Sequence, residues 1–305
     1  MNRLVAIVGP TGIGKTKLAV RLARTFNGEI VSADSRQVYR YMDIGTAKPS
    51  PEELALVPHH LISIINPNED FSLARYQELA YQAIEDIRQR SKLALLVGGS
   101  GLYVWAVLEG WEIPKVPPEP GLRQDLEAKV SKIGSEGLYQ ELLEVDPLAA
   151  LKIDPHNVRR TIRALEVYQA SKIPFSRLQR KKAPSFRTLI IGLTTDRSEL
   201  YRRVDVRIDN MVKQGLIDET RKLMEMGYGW TLPSMSGIGY RQIGMFLRGE
   251  LTLAEAGQQI RFETHRFIRH QYAWFKLSDR RIHWFDVRKE IEPEIDALVN
   301  EFMRG

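Results

Sequence analysis

Gly9-Pro10-Thr11-Gly12-Ile13-Gly14-Lys15-Thr16 completes the pattern G-x-x-x-x-G-K-[ST], between the apolar run Leu4-Val5-Ala6-Ile7-Val8 and a stretch with helical periodicity. Strand, glycine-rich turn and helix in that order form a phosphate-binding loop. Glycine lets backbone N–H groups turn inward, and the following helix points its positive end at the anion. Lys15 is placed to reach a terminal phosphate and Thr16 a magnesium ion. The eight residues Gly9, Pro10, Thr11, Gly12, Ile13, Gly14, Lys15 and Thr16 are therefore the candidate cradle for a diphosphate or triphosphate, with Thr16 the candidate metal ligand.

Further short apolar runs, rich in β-branched residues, occur at Glu29 to Ala33, Leu61 to Ile65, Leu93 to Val97, Leu189 to Thr194 and Ile282 to Val287, mostly separated by helix-like segments. Unbroken apolar strands alternating with helices predict a parallel sheet covered on both faces. The pattern breaks at Ile113-Pro114-Lys115-Val116-Pro117-Pro118-Glu119-Pro120-Gly121, which suits neither a helix interior nor a sheet, and only helical periodicity follows to about Ser185. The expected fold class is α/β: a P-loop doubly wound parallel sheet with an inserted helical subdomain. The core spans residues 1–112 and 188–305, the insert 113–187.

The 305 residues are 43% hydrophobic and 27% charged, which excludes disordered and fibrous classes. No apolar run approaches the roughly 18 residues of a membrane span, so no membrane partner and a cytoplasmic location are expected. The absence of cysteine excludes disulfides, thiolate catalysis and zinc fingers. His59 and His60 are adjacent and would point to opposite faces of a strand, which argues against a shared metal.

Charge is distributed unevenly. His156 to Arg187 holds nine basic residues against Glu166 alone, an excess larger than the +6 of the whole chain. Arg159, Arg160 and Arg163 share a helical face, suited to a nucleic-acid backbone. A second basic helix, Arg261 to Lys276, interleaves Phe262, Phe267, Tyr272, Trp274 and Phe275, rings that could stack on unpaired bases.

In a parallel sheet, functional groups gather at the carboxyl ends of the strands. There the second strand runs into Asp34-Ser35-Arg36-Gln37-Val38-Tyr39 and the fourth into Gly98-Gly99-Ser100-Gly101-Leu102-Tyr103. A nucleotidase would carry a magnesium-binding aspartate after a core strand; here Gly98 follows Leu93 to Val97. Whether the bound phosphate is transferred or departs as a leaving group stays open at this point.

At these residues the chain resembles the tRNA dimethylallyltransferase (tRNA isopentenyltransferase) family, over nearly its full length. The resemblance rests on the Gly9 to Thr16 loop, Asp34 to Tyr39, Met42-Asp43-Ile44-Gly45-Thr46-Ala47-Lys48-Pro49, His59-His60-Leu61-Ile62, Gly98 to Tyr103, Arg163-Ala164-Leu165-Glu166-Val167-Tyr168 and Gly239-Tyr240-Arg241-Gln242. It implies transfer of a dimethylallyl group from dimethylallyl diphosphate to the exocyclic amine of the adenosine 3′-adjacent to a tRNA anticodon. It implies Asp34 as catalytic base, Ser100 as a second catalytic residue giving a hydroxyl to the diphosphate, Mg2+ as cofactor, and Arg207 as a further diphosphate-binding charge. Contacts to the tRNA anticodon stem-loop fall, by the same resemblance, to Asp34, Ser35, Arg36, Gln37, Ser100, Arg123, Arg159, Arg160, Thr161, Ile162 and Arg163, which makes the insert a tRNA-binding subdomain. A monomer of the short bacterial form, without a C-terminal zinc finger, is expected.

Two stretches depart from the family pattern. Ser100 stands where threonine is usual, keeping the hydroxyl. The usual Lys/Arg-Arg-Gln-x-Thr-Trp is here Arg269-His270-Gln271-Tyr272-Ala273-Trp274, and no catalytic role is assigned there. The competing readings are an adenine-nucleotide isopentenyltransferase, a P-loop small-molecule kinase, and a noncatalytic RNA-binding protein that uses the loop as a switch.

Overall fold

The computed structural model describes residues 3–114, 116, 119–178 and 180–305. The chain forms two compact units, Met1–Leu108 with Pro184–Gly305, and Glu109–Ala183. The first unit runs β1 (Arg3–Val8), α1 (Lys15–Thr25), β2 (Gly28–Ser32), α2 (Pro51–Leu56), β3 (His59–His60), α3 (Leu73–Gln89), β4 (Leu93–Gly98) and α4 (Gly101–Leu108). The insert follows with β5 (Trp111–Glu112), α5 (Pro120–Val145), α6 (Pro147–Ala150), α7 (Val158–Ser171), α8 (Phe175–Leu178) and β6 (Arg180–Lys181). The first unit resumes with β7 (Arg187–Thr194), α9 (Arg197–Lys213), α10 (Leu216–Glu225), α11 (Tyr240–Leu247), α12 (Leu253–Trp274), β8 (Ile282–Asp286) and α13 (Glu292–Arg304).

Six strands make one parallel sheet in the order β3-β2-β4-β1-β7-β8. Leu4 to Val8 are all fully buried, because β1 has a strand on each side and helices over each face. One face packs Val5 and Ile7 with Leu18, Leu22, Ile295 and Val299. Beside the sheet, a second cluster wraps Val38, Tyr39 and Met42 with Leu216, Leu223, Tyr240 and Ile243. No helix among the described residues is long and apolar enough to cross a membrane.

The third strand is not where its apolar run predicts. It is His59–His60, paired with Ile30 and Val31. Leu61 and Ser63 take φ of 64° and 53°, left-handed values that end an extended strand and leave only the Tyr39–Ile65 bridge beyond. The insert is not purely helical either: Trp111 and Glu112 pair antiparallel with Lys181 and Arg180. This pair closes the base of the insert, which starts at Glu109 and not 113. Lys115, Pro117 and Pro118 of the proline-rich stretch lie outside the described residues. Within α5, Gly134 at φ 76° breaks the helix into two pieces.

One buried ion cluster anchors the second strand. The Glu29 carboxylate, 1% exposed, accepts from Lys92 Nζ (2.8 Å) and Arg90 (2.9 Å), and pairs with His60 Nε2 (2.7 Å). Burial alone would push this carboxyl up, but the hydrogen bonds from Arg90, Lys92 and His60 outweigh it and hold it at about 2. The folded value lies below the ordinary 4.5, so the stabilisation is complete above 4.5 and is lost as pH falls toward 2. Glu29→Gln is expected to cost about 2 kcal/mol at pH 7. Urea unfolding should show the two proteins converging as the pH drops below 4.

Candidate active site

The loop from Gly9 to Thr16 turns from β1 into α1. Gly14 caps the helix at φ 102°, a left-handed conformation that strains any residue with a Cβ. No side chain caps α1, so the N–H groups of its first turn are left for an anion. Lys15 Nζ donates to the carbonyls of Gly9 (3.0 Å) and Pro10 (2.8 Å), folding back over the loop. Arg207, from α9, donates to Thr11 Oγ1 at 3.3 Å. Ile13 is 2% exposed and its side chain belongs to the core, so it can offer a ligand only its backbone.

A cavity of about 450 Å³ opens over this loop. Lys15, Thr16, Lys17, Arg203 and Arg207 line it together with Asp34 and Gln37, while Ala19, Ile30, Ala47, Pro49, Ile62 and Val97 add apolar wall. Burial pushes the Lys15 ammonium down to about 8; Arg207 pushes the same way and Asp34 opposes them. Burial likewise lowers Arg207, again opposed by Asp34. Four cations (Lys15, Lys17, Arg203 and Arg207) line the cavity against two carboxylates, Asp34 and Glu53, which leaves a positive lining that a diphosphate balances.

The Lys15 value gives a titration test. A folded pKa below 10.5 means that the unfolded chain holds more protons between about 8 and 10.5, so this group makes the free protein more stable as pH rises through that window. A bound anion reverses the balance by favouring the ammonium. Binding of inorganic diphosphate at pH 8 is therefore expected to take up about half a proton that Lys15→Met does not take up. Calorimetry in buffers of different ionisation enthalpy measures the difference; equal uptake by the two proteins would contradict it.

The carboxyl ends of β2 and β4 meet beside the loop. Asp34 Oδ1 accepts the N–H groups of Arg36 (2.8 Å) and Gln37 (3.4 Å), which fixes the carboxylate; among the described residues no donor takes Oδ2. Ser100 Oγ accepts the Ser35 N–H at 3.1 Å, and Ser100 N donates to the Ala33 carbonyl at 3.3 Å. Gly98 sits where these strand ends touch: a Cβ on it would lie 2.1 Å from the Ala33 carbonyl oxygen. No side chain fits at the position where a nucleotidase carries its magnesium carboxylate.

Not every expected contact faces the cavity. Thr11, Gly12, Gly14, Lys15, Thr16, Asp34, Gln37 and Arg207 line it; Ser35, Arg36 and Ser100 do not. The Arg36 guanidinium is tied to the carbonyls of Pro233 (2.8 Å) and Ser234 (3.4 Å). Gln37 Nε2 donates to the carbonyls of Thr46 (3.4 Å) and Ala47 (3.2 Å), holding part of the cavity wall. That segment is latched from its far side, where the Glu219 carboxylate accepts N–H groups of Asp43, Ile44 and Gly45 (2.8 to 3.1 Å) and the Tyr240 hydroxyl (2.5 Å).

In the insert, Arg159 and Arg160 are exposed at the start of α7, but the face read from the spacing is split. Arg163 and Arg123 both bond the fully buried Glu166, at 2.7 and 3.1 Å, and Arg163 also donates to the Val116 carbonyl at 2.8 Å. Thr161 and Ile162 are 1% and 4% exposed, and Ile162 packs with Leu138 and Leu142. This corrects the expectation of RNA contacts through these two side chains, because Ile162 joins the insert's own core and the buried Thr161 hydroxyl donates back to the Asn157 carbonyl at 3.3 Å. On α12, Phe262, Phe267 and Trp274 reach the surface, whereas Phe275 is buried and the Tyr272 hydroxyl is paired with Thr194 at 3.0 Å.

Residues 37–278 match the family model for IPP transferase. The chain belongs to the IPP transferase family. Its relatives include the tRNA dimethylallyltransferase of Roseiflexus castenholzii, 56% identical over 90% of each chain, and that of Dehalococcoides mccartyi, 50% identical over 98% of this chain and 92% of the relative. Among solved structures, it is similar to the tRNA isopentenylpyrophosphate transferase of Bacillus halodurans (41% identity, TM-score 0.73, 99% of this chain and 96% of that one). It is also similar to a eukaryotic dimethylallyltransferase acting on tRNA (25% identity, TM-score 0.86, 100% and 80%). For an IPP transferase, three neighbours of the cavity stand out that the motifs did not supply: Lys17, Arg203 and Glu219. Arg203 lies one turn before Arg207 on α9, an i, i+4 relation visible in the sequence; Glu199 orients it at 2.7 Å. Nothing local distinguishes Glu219, whose backbone partners lie 174 to 176 residues earlier.

Proposed function

We propose that this chain is a tRNA dimethylallyltransferase. It joins C1 of dimethylallyl diphosphate to the exocyclic nitrogen of the adenosine 3′ to the anticodon and releases diphosphate. The observation that carries this reading is one cavity of about 450 Å³ lined at once by the phosphate loop, by the Asp34 carboxylate and by the apolar residues Ala19, Ile30, Ala47, Pro49, Ile62 and Val97.

The chemistry follows from those groups. An adenine amine is a weak nucleophile because its lone pair is delocalised, so its proton must leave as the N–C bond forms; Asp34 takes it. The C–O bond to diphosphate breaks with its electron pair going to oxygen, and Lys15, Arg207, Arg203 and the N–H groups of α1 stabilise the charge that develops there. Anticodon-loop bases are stacked, so the adenosine must be turned out to reach Asp34. Arg159 and Arg160 offer the exposed charge for the RNA backbone.

Magnesium fits this donor set. Thr16 presents its hydroxyl to the cavity beside the phosphate loop, which suits an ion completed by phosphate oxygens and water. When bound, it would neutralise charge on the departing diphosphate.

The test is transfer of label from dimethylallyl diphosphate, offered with bulk tRNA, with AMP, or with ATP and no RNA. Label in tRNA, mapped to the adenosine beside the anticodon, is the expected result. Label in AMP alone would replace this reading with the nucleotide isopentenyltransferase, and ATP consumption without prenyl transfer would replace it with a kinase.

A further inference from the structure

The segment Arg269 to Trp274, to which the sequence assigns no chemistry, contains a buried amide hydrogen-bonded at both ends. Gln271 on α12 is 3% exposed. Its Oε1 accepts the Thr11 N–H at 2.9 Å, and its Nε2 donates to the Gly99 carbonyl at 3.0 Å. The orientation of the amide is unambiguous, because a backbone N–H can only donate and a carbonyl can only accept. The fit is close on the Gly99 side: a Cβ there would lie 2.3 Å from Nε2.

We infer that Gln271 is a positioning residue that sets the distance between the diphosphate loop and the Ser100 turn. Each end of the amide leads to a reacting partner. Thr11 accepts Arg207 at its hydroxyl, and Gly99 precedes Ser100, whose Oγ holds the Ser35 N–H next to Asp34. One rigid side chain thus spans from the side that holds the leaving group to the side that holds the base. The last turn of α12 supports it: a Cβ on Gly101 would lie 2.2 Å from Trp274 Cγ, and Trp105 Nε1 donates to the Trp274 carbonyl at 3.1 Å. The Thr11 N–H is also occupied, which leaves the later N–H groups of the loop for the ligand.

This inference rests on the prenyl-transfer reading for its assay. In Gln271→Met, similar in size but unable to bridge, kcat is expected to fall by about 30-fold or more while KM for the prenyl diphosphate changes less than about 3-fold, since misplacement of reacting groups costs the transition state more than the ground state. Gln271→Glu supplies a readout that packing alone would not move. Its ionised carboxylate meets the Gly99 carbonyl without a proton to donate, whereas the protonated acid restores the donor. Its activity relative to wild type is therefore expected to climb as pH falls from 8 to 6. Gly99→Ala presses on the same amide, and Gly99→Ala with Gln271→Met should together lose less than the product of the separate losses. Wild-type protein that fails to label tRNA would sink the functional reading. Active wild type with an unchanged kcat in Gln271→Met, or a flat pH ratio for Gln271→Glu, would overturn the clamp.

Discussion

Asp34→Asn is expected to lower kcat for tRNA prenylation by about 10³-fold, the size of a lost general base. Asparagine keeps an oxygen for the Arg36 and Gln37 N–H groups, so the turn after β2 should survive. Binding of inorganic diphosphate should survive as well and tighten slightly, because a negative charge facing Lys15 and Arg207 has gone. Single-turnover transfer together with a diphosphate titration separates the two effects. A loss below 10-fold with normal diphosphate binding would remove Asp34 from proton transfer and leave it as the cap of its turn.

Gly98→Ala has the second largest expected effect. The new methyl group would stand 2.1 Å from the Ala33 carbonyl oxygen and 2.5 Å from its carbon, both backbone atoms of the neighbouring strand end. Neither can yield without parting β2 from β4, where Ala33 N donates to the Val97 carbonyl at 2.8 Å. Stability should fall by about 1–3 kcal/mol, and kcat by about 10²-fold because the Asp34 and Ser100 turns separate. Gly257→Ala on α12 is the control. Its Cβ meets only the end of Arg261 at 3.6 Å, and the change should be neutral or mildly stabilising. A Gly98→Ala protein with wild-type melting and turnover would show that the junction has slack.

The same glycine bears on the kinase alternative. A nucleotide-hydrolysing relative needs an acidic side chain after that strand, and here the backbone leaves it no room. The phosphate loop is present, while the carboxylate nearest to it stands at the end of β2, at Asp34.

The sheet was legible wherever a strand is buried on both faces. Leu4 to Val8 and Leu93 to Val97 appear as unbroken apolar runs because neither face meets water. The third strand was misplaced because Leu61 and Ser63, ordinary residues for a strand, are bent by positive φ that composition does not announce. The β5–β6 pair is two residues long, with its partners on either side of the whole insert, beyond any local pattern. In the candidate site, Lys15, Thr16 and Asp34 could be placed because motif and strand end coincide. The spacing places Arg163 on an exposed basic face although Glu166 takes it, since a lone acid among nine bases looks negligible until it proves to be buried between one of them and Arg123 of an earlier helix. Gln271 keeps the glutamine of the family pattern, but its role exists only once α12 passes between two distant loops.

The short β5–β6 pair has an entropic consequence. The Lys182 N–H donates to the Gly110 carbonyl at 2.7 Å and Trp111 pairs with Lys181, so the chain leaves and returns at one stapled point. To the flanking polypeptide, everything from Glu112 to Arg180 counts as a tight turn. With the staple formed, joining α4 to β7 escapes the extra closure entropy of a long loop, about 2–3 kcal/mol. Insertions and deletions inside the insert are then nearly free of cost to the sheet outside it, which lets the insert vary in length while the strands keep their register.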